Sequence, residues 1–395
     1  MAMPETLEST PPRRWPVASE HSLWARTMLA FLATAGLFYV NIMPALVDGL
    51  MTGLSFSQRD AGLVGSLNVY GAAAGALAAV WLVKRLAWRP LSYGLLLALL
   101  VLDLGSMLLQ SSLPLMALRF LHGVVGGLLV GVGFAVIART HEPDKTFGVL
   151  LLVQFGLGGL GVMYLPRLVP VYGTPVLFAA LVAFTLVTLM MVPFLAAYDT
   201  RSSDSAKTDT PATIAKGPLL LTLLALFLFQ GANMGLYAYI IPLADAALLE
   251  SEFTSRTLGQ AAWIGILGSG LVVAMSTRFG RAWPLGLAIT TTAIATWALN
   301  YSDQASIFWL ANLMVGITWA FTIPYLLGMA SAFDQHGQMA ALGGFASKMG
   351  LASGPMAAAL LVGDGNYPLL IGWAVIALVL CLVAAVLPAR QLDQA

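Results

Sequence analysis

The chain has 395 residues, 59% of them apolar and 9% charged, with a net charge of +1. Soluble domains carry about 25% charged residues, so this composition excludes a soluble globular protein and indicates an integral membrane protein. Balanced charge without a basic tract excludes a nucleic-acid footprint, and a single cysteine, Cys381, excludes an intrachain disulfide and a cysteine metal cluster.

Residues 1–23 form a polar tail with Pro11, Pro12, Arg13, Arg14 and Glu20 and no apolar core, which does not read as a signal peptide. A membrane-crossing helix needs about 20 mostly apolar residues. Twelve stretches qualify: 24–48, 61–83, 90–110, 114–138, 146–168, 174–196, 218–243, 258–277, 283–301, 305–332, 339–362 and 367–388. Most joints are short. The exception, 197–217, is polar and rich in Ser and Thr, and reads as a flexible cytoplasmic loop. It separates an N-terminal six-helix bundle, 24–196, from a C-terminal one, 218–388, followed by a cytoplasmic tail, 389–395.

Lysine and arginine set the orientation. With the N-terminus in the cytoplasm, fourteen of the 19 basic residues fall on the cytoplasmic side and three, Arg59, Arg167 and Arg256, on the outer side. Arg119 and Lys348 lie within spans. An even number of spans places both termini on one side, in agreement with this assignment.

The two halves repeat one another at an offset of just under about 200 residues. Tyr39-x-x-x-x-Pro44 followed by Asp48 matches Tyr237-x-x-x-x-Pro242 followed by Asp245. QFGLGG from Gln154 matches KMGLAS from Lys348, and KRLAWRP from Lys84 matches RFGRAWP from Arg278. Spans 6 and 12 open on Tyr172-Gly-Thr-Pro175 and Asn366-Tyr-Pro368. Four matches in the same order indicate a duplicated six-helix unit. Parallel repeats of this kind place a solute site between the halves near mid-membrane.

From about Trp24 to Pro388 the chain resembles a major facilitator superfamily (MFS) transporter. Span 4 resembles that family's arginine motif in Arg119-Phe-Leu-His122-Gly123-Val-Val-Gly126-Gly127. The loops after spans 2 and 8 resemble its gating motif: Arg85 and Arg89 are kept in the first, Arg278, Gly280 and Arg281 in the second. Lys84 and Thr277 stand where the motif carries an acid. The resemblance implies an all-α membrane fold of twelve helices in two six-helix bundles. It implies a cavity lined mostly by spans 1, 4, 7 and 10, flanked by 2, 5, 8 and 11, with 3, 6, 9 and 12 as outer scaffold. The bundles would rock to alternate access.

An ionisable group inside a membrane is costly and needs a partner or a purpose. Lys348 lies about nine residues, or about 13 Å, past the cytoplasmic end of its span. It reads as an anion contact in the cavity, as a structural tie, or as a snorkelling side chain. Arg119 and His122, three residues apart, share a helix face. Arg119 reads as a solute contact or as a clamp on carbonyls or an acid. His122 suits proton coupling, or merely replaces the motif's glutamine. Asp103, deep in span 3, reads as a proton carrier or as the partner in an ion pair. Asp48 and Asp245, near the outer ends of spans 1 and 7, are solvated or gate the outer mouth, and Arg85, Arg89, Arg278 and Arg281 gate the cytoplasmic side.

Neutral polar residues concentrate in spans 1, 7 and 10. Thr34, Asn41 and Asp48 are seven apart; Gln230, Asn233 and Tyr237 share a face; so do Trp309, Asn312, Gly316, Trp319 and Ile323. With Tyr39, Asn68 and Gln154 they are expected to line the cavity, although lone polar groups in membrane helices also simply bond a neighbour. Pro44, Pro242 and Pro324 are expected to interrupt spans 1, 7 and 10.

Walker A, His-Glu-x-x-His and Gly-x-Ser-x-Gly sequences are absent. No enzyme activity, cofactor or metal is expected. The reading is a monomeric secondary transporter of the inner or plasma membrane, moving a small anionic or amphiphilic organic solute by alternating access with protons as coupling ion. Its partners are the solute, protons and membrane lipids, without nucleic acid. One alternative is a drug or metabolite antiporter that exports hydrophobic compounds against protons. Another, of a different class, is a non-transporting sensor or scaffold on the same fold.

Overall fold

The computed structural model describes residues 17–198, 216–275, 278–333, 338–363 and 365–394. Most of the predicted central loop, most of the N-terminal tail, and Thr277 therefore lie outside the described residues, as does the side chain of Lys84.

The described chain is built of helices. The first span is a helix broken twice: α1 (Leu23–Ala35), α2 (Phe38–Asn41) and α3 (Met43–Leu54). It is followed by α4 (Gln58–Arg85), α5 (Trp88–Ser106), α6 (Ser112–Ile137), α7 (Pro143–Tyr172) and α8 (Pro175–Met191). The second half opens on another broken span, α9 (Lys216–Ala238) and α10 (Ile240–Ala246). Then come α11 (Ser251–Met275), α12 (Ala282–Ala298), α13 (Ala305–Ala332), α14 (Gln338–Val362) and α15 (Tyr367–Gln394). Among the described residues eleven helices are long and apolar enough to cross a membrane, and the broken first span adds the shorter apolar helices Leu23–Ala35 and Met43–Leu54.

Local chemistry sets the ends. Ser22 and Ser57 cap α1 and α4, their hydroxyls accepting from Ala25 N–H and Asp60 N–H at 3.1 Å each. Gly173, at φ +73°, turns the chain after α7, and Pro175 starts α8 at a position that needs no N–H. Two of the three breaks follow from proline, though not where proline itself sits. Pro44 has no N–H for the Val40 carbonyl, and the chain breaks at Ile42. Pro242 has none for Ala238, and the chain breaks at Tyr239. Pro324, expected to interrupt span 10, lies inside the continuous α13. The expected C-terminal tail is instead the last turns of α15, helical to Gln394.

Small residues bring the helices close. Gly123 and Gly127 of α6 rest on the α4 backbone at Asn68 and Ala72, and Gly71 and Gly75 of α4 rest on Phe120 and Val124 of α6. In the second half Gly265 and Gly268 of α11 meet Gly316 and Ile317 of α13. A side chain at any of these would strike backbone, the small-residue packing by which membrane helices associate. The same pair of helices is fused in each half, so the repeat seen in sequence is also a repeat of packing.

The halves meet through α4 with α14 and α7 with α11. The hydrogen bonds joining them cluster from the midpoint towards the end opposite the termini. Ser66 donates to the Ala352 carbonyl at 2.5 Å, the Tyr70 and Ser353 hydroxyls are 2.8 Å apart, and Tyr239 donates to the Gln58 carbonyl at 2.5 Å. Arg167 donates to the Glu252 carbonyl at 3.1 Å at the rim of that end.

Candidate functional site

Between the halves lies a cavity of about 320 Å³. Its wall is contributed by α2, α7, α9, α11, α13 and α14. Asn41, Gln154, Gln230, Tyr237, Asn312 and Trp319 supply its polar and aromatic groups, as expected from the sequence, and among the described residues no carboxylate, lysine or arginine lines it. The polar groups are already held. The Trp319 indole donates to Gln230 Oε1 at 2.7 Å, and Gln230 Nε2 donates to the Ser347 hydroxyl at 2.8 Å. The Tyr237 and Trp319 rings meet edge to face, centroids 5.9 Å apart. Asn312 is tied to the Phe308 carbonyl at 2.8 Å, and Asn41 Nδ2 donates to the Gln154 carbonyl at 3.3 Å. A rigid aromatic and amide wall around apolar space is suited to an amphiphilic occupant.

Helix rotation decides which predicted residues reach this cavity. Gln230, Met234 and Tyr237 line it, following i, i+4, i+7. Asn233 faces elsewhere and bonds the Phe229 carbonyl of its own helix at 2.8 Å. Trp309 also lies off the cavity, donating to Gln260 Oε1 at 2.8 Å. Thr34, Asn41 and Asp48 do not form one face, because the breaks at Leu37 and Ile42 reset the helical phase between them. The wall from α11, Leu258, Ala261, Gly265 and Ser269, was not singled out in the sequence. Its signal was a line of small residues at three- and four-residue spacing.

Arg119, Asp103, His122, Asn68 and Tyr39 form a separate cluster, sealed inside the first half. Arg119 Nη2 donates to Asp103 Oδ1 at 2.9 Å. The guanidinium lies between the rings of Tyr39 and Phe178, 5.5 and 5.2 Å from their centroids. His122 Nε2 is 3.2 Å from Asp103 Oδ1, and its Nδ1 is 2.8 Å from Asn68 Nδ2, which also donates to the Arg119 carbonyl at 3.0 Å. An amide donor at Nδ1 and a carboxylate at Nε2 suit the neutral ring with its hydrogen on Nε2. Arg119, Tyr39 and Asn68 are thus placed away from the cavity wall. The reason is Asp103: the one acid deep in span 3 captures the arginine that was expected to reach solute.

Lys348 is half-buried on α14, with no carboxylate partner among the described residues. It does not line the cavity, but Leu351, three residues on, does, and the Ser347 hydroxyl holds Gln230. Two of the arginines expected to gate, Arg89 by its side chain and Arg281 by its backbone N–H, make contacts within single halves. Arg89 donates to the carbonyls of Leu195 and Ala196, the latter at 2.9 Å, tying α5 to the end of span 6. Asp393 Oδ1 and Oδ2 accept the Arg281 N–H at 2.7 and 2.9 Å, and Oδ2 the Ala282 N–H at 2.9 Å, tying α12 to α15. Arg85 and Arg278 lie on the same face of the molecule, and Asp48 (in α3) and Asp245 (in α10) on helices that pack together at the opposite end. Among the described residues no group of three or more His, Cys, Asp or Glu could hold a metal ion.

A sequence profile described as Major Facilitator Superfamily matches residues 27–259, more than half of the chain. The chain belongs to the Major Facilitator Superfamily. The multidrug resistance protein MdtL of Escherichia coli O9:H4 (strain HS) is 25% identical over 349 residues, covering 82% of this chain and 84% of MdtL. MdtL of Shigella boydii serotype 18 is similar to the same extent. The crystal structure of the human organic anion transporter MFSD10 (TETRAN) superposes with a TM-score of 0.64 at 16% identity, over 92% of this chain and 97% of that one. This likeness shows the MFS fold. Family membership makes this protein a multi-pass transporter of small solutes, and the central cavity lies where the two MFS halves meet.

Proposed function

We propose that this MFS protein exports a small, largely apolar solute with neutral hydrogen-bonding groups by alternating access. The observation that carries this reading is the cavity between the halves, walled by Tyr237, Trp319, Gln230 and Asn312 without a charged side chain among the described residues. An anionic solute there would find no cation, and burying an unpaired charge is costly. The likeness to MdtL, a multidrug resistance protein by its description, agrees with export. The halves 24–196 and 218–388 are the moving bodies in this reading. With the termini in the cytoplasm, the bonded end is the outer one, and the protein faces inward, ready to load.

The energy source in this reading is the proton gradient, with His122 and Asp103 as the titrating pair. A second proton on His122 would meet the Asn68 amide donor, so taking it up requires the cluster to rearrange. The protein acts as a monomer among lipids.

The test is flux in inverted or reconstituted vesicles under an imposed pH gradient, with neutral, cationic and anionic probe compounds. Uptake of neutral amphiphiles that collapses with the gradient is the expected result. Equal flux without a gradient removes proton coupling, and no flux of any probe favours the non-transporting alternative. A second reading, transport of an organic anion, rests on Lys348: an amine without a carboxylate partner among the described residues, one helical turn from the cavity. MFSD10, an organic anion transporter by its description, has the same fold.

A further inference from the structure

Two tyrosines flank Ala238, the last residue of α9, at the break in span 7. Tyr237 stands in the cavity wall, and its hydroxyl donates to the Asn41 carbonyl at 3.3 Å. Asn41 is itself the last residue of α2, immediately before the break at Ile42 in span 1. Tyr239 is fully buried, and its hydroxyl donates to the carbonyl of Gln58, the first residue of α4, at 2.5 Å. The hydroxyl sits over Gly62, where any side chain would collide with it, and against α14 at Ala359. Both bonds therefore run from the second half to the first, and both start at the same interruption of the helix.

The two bonds differ in length. Hydroxyl-to-carbonyl bonds have a usual separation of about 2.7–2.8 Å, so the Tyr239 bond is short and the Tyr237 bond stretched. A stretched bond in a cavity wall is readily exchanged for another acceptor. Tyr239 has no such access, being enclosed between α4 and α14. Interrupted helix ends are where a few residues absorb rotations between packed bodies.

We infer that Tyr237 and Tyr239 form one latch that links the cavity wall to the closed end of the transporter. Tyr239 holds the end opposite the termini shut by fastening the break of span 7 to the start of α4. Tyr237 holds the same break in register by fastening it to the broken end of span 1. Loss of the Tyr237 bond frees the break to turn and withdraws Tyr239 from Gln58. An occupant of the cavity with an acceptor atom reaches the latch at Tyr237. In this respect the inference deepens the export reading and rests on it, because release by an inward-loaded solute opens the outer end.

The latch itself is tested without solute and without flux, so its failure is separate from failure of the export reading. In full-length protein carrying Cys381→Ser, Val362→Cys is the single thiol, at a site 0% exposed at the last residue of α14. The rate of its modification by a charged methanethiosulfonate reports opening of that end. Tyr239→Phe is expected to raise the rate at least about fivefold, and Tyr237→Phe to raise it less. The double variant is expected to match Tyr239→Phe alone, since residues acting through one element are not additive. Unchanged rates in either single variant, or rates that multiply in the double variant, overturn the latch. Gly62→Ala, which displaces the Tyr239 hydroxyl from the other side, gives a second route. Hydrogen exchange over Ile240–Ala246 should rise in it as in Tyr239→Phe, and protection equal to wild type overturns the assignment of Tyr239.

Discussion

The Arg119 guanidinium of α6 lies 2.9 Å from the Asp103 carboxylate of α5, with side-chain exposures of 0% and 1%. A pair this enclosed adds little net stability as a pair, but removing one partner leaves a buried charge unmatched, at about 3–5 kcal/mol. Asp103→Asn is therefore expected to lower the melting temperature sharply, and Asp103→Asn with Arg119→Gln to recover much of the loss. Thermal unfolding of the purified variants checks this. A double variant no better than Asp103→Asn would mean that the charge of Arg119 is balanced by some other group.

Trp319 forms part of the cavity wall and orients Gln230 through its indole N–H. Trp319→Ala removes both the ring and that bond. Solute binding should weaken at least tenfold, about 1.4 kcal/mol, with the fold retained. Trp319→Phe should keep part of the affinity, because the ring packs against Tyr237 while the indole donor is lost. Ligand titration of the two variants separates packing from hydrogen bonding.

Lys348→Ala distinguishes the two solute readings. If the solute is neutral, flux and ligand-induced thermal stabilisation should match wild type. A ligand that binds only the folded protein raises its melting temperature by mass action. Stabilisation by organic anions in the wild type that vanishes in the variant would establish the anion reading instead.

Asp393 accepts three backbone hydrogen-bond contacts from Arg281 and Ala282 at the start of α12. It acts as an N-terminal cap delivered from α15, and such caps are worth about 1 kcal/mol. Asp393→Ala should lower stability by about that much and raise hydrogen exchange in the first turn of α12. Exchange unchanged there would show that the loop holds itself.

At the termini end, Glu142 bonds Lys145 and Arg26, joining the starts of α7 and α1. The hydrogen bond from Lys145 and the nearby charges of Lys145 and Arg26 hold its carboxyl below its ordinary 4.5. A depressed carboxyl contributes stability that is fully present above the unfolded value and is lost as pH falls through the folded one. The wild type should therefore lose a small increment of stability below about pH 4.5 that Glu142→Gln does not lose. Melting temperatures of both proteins between pH 6 and pH 3, about the range over which carboxyls titrate, check the sign.

Much of the site was legible because periodicity survives in unbroken helices. Asn312, Gly316, Trp319 and Ile323 follow the α13 repeat and all reach the cavity. The same reasoning failed in span 1, where Thr34, Asn41 and Asp48 keep a seven-residue spacing across two breaks that change the phase. It failed at Asn233 for a finer reason: both 230–233–237 and 230–234–237 are acceptable helical faces, and only the neighbours select between them.

The sequence by itself determined the number of spans, the duplication and the family, since these depend on local hydropathy and on spacing along the chain. It also showed that Arg119, Asp103, His122 and Lys348 are intramembrane ionisable groups in need of an account. Tertiary structure decided which of them meet. The glycine faces of α4 and α6 bring Asn68, Arg119 and His122 together, and α5 delivers Asp103 to them, so these charges cancel off the cavity wall. An uncharged cavity follows from that pairing, because electrostatic partners are chosen by distance in space and not by position in the chain.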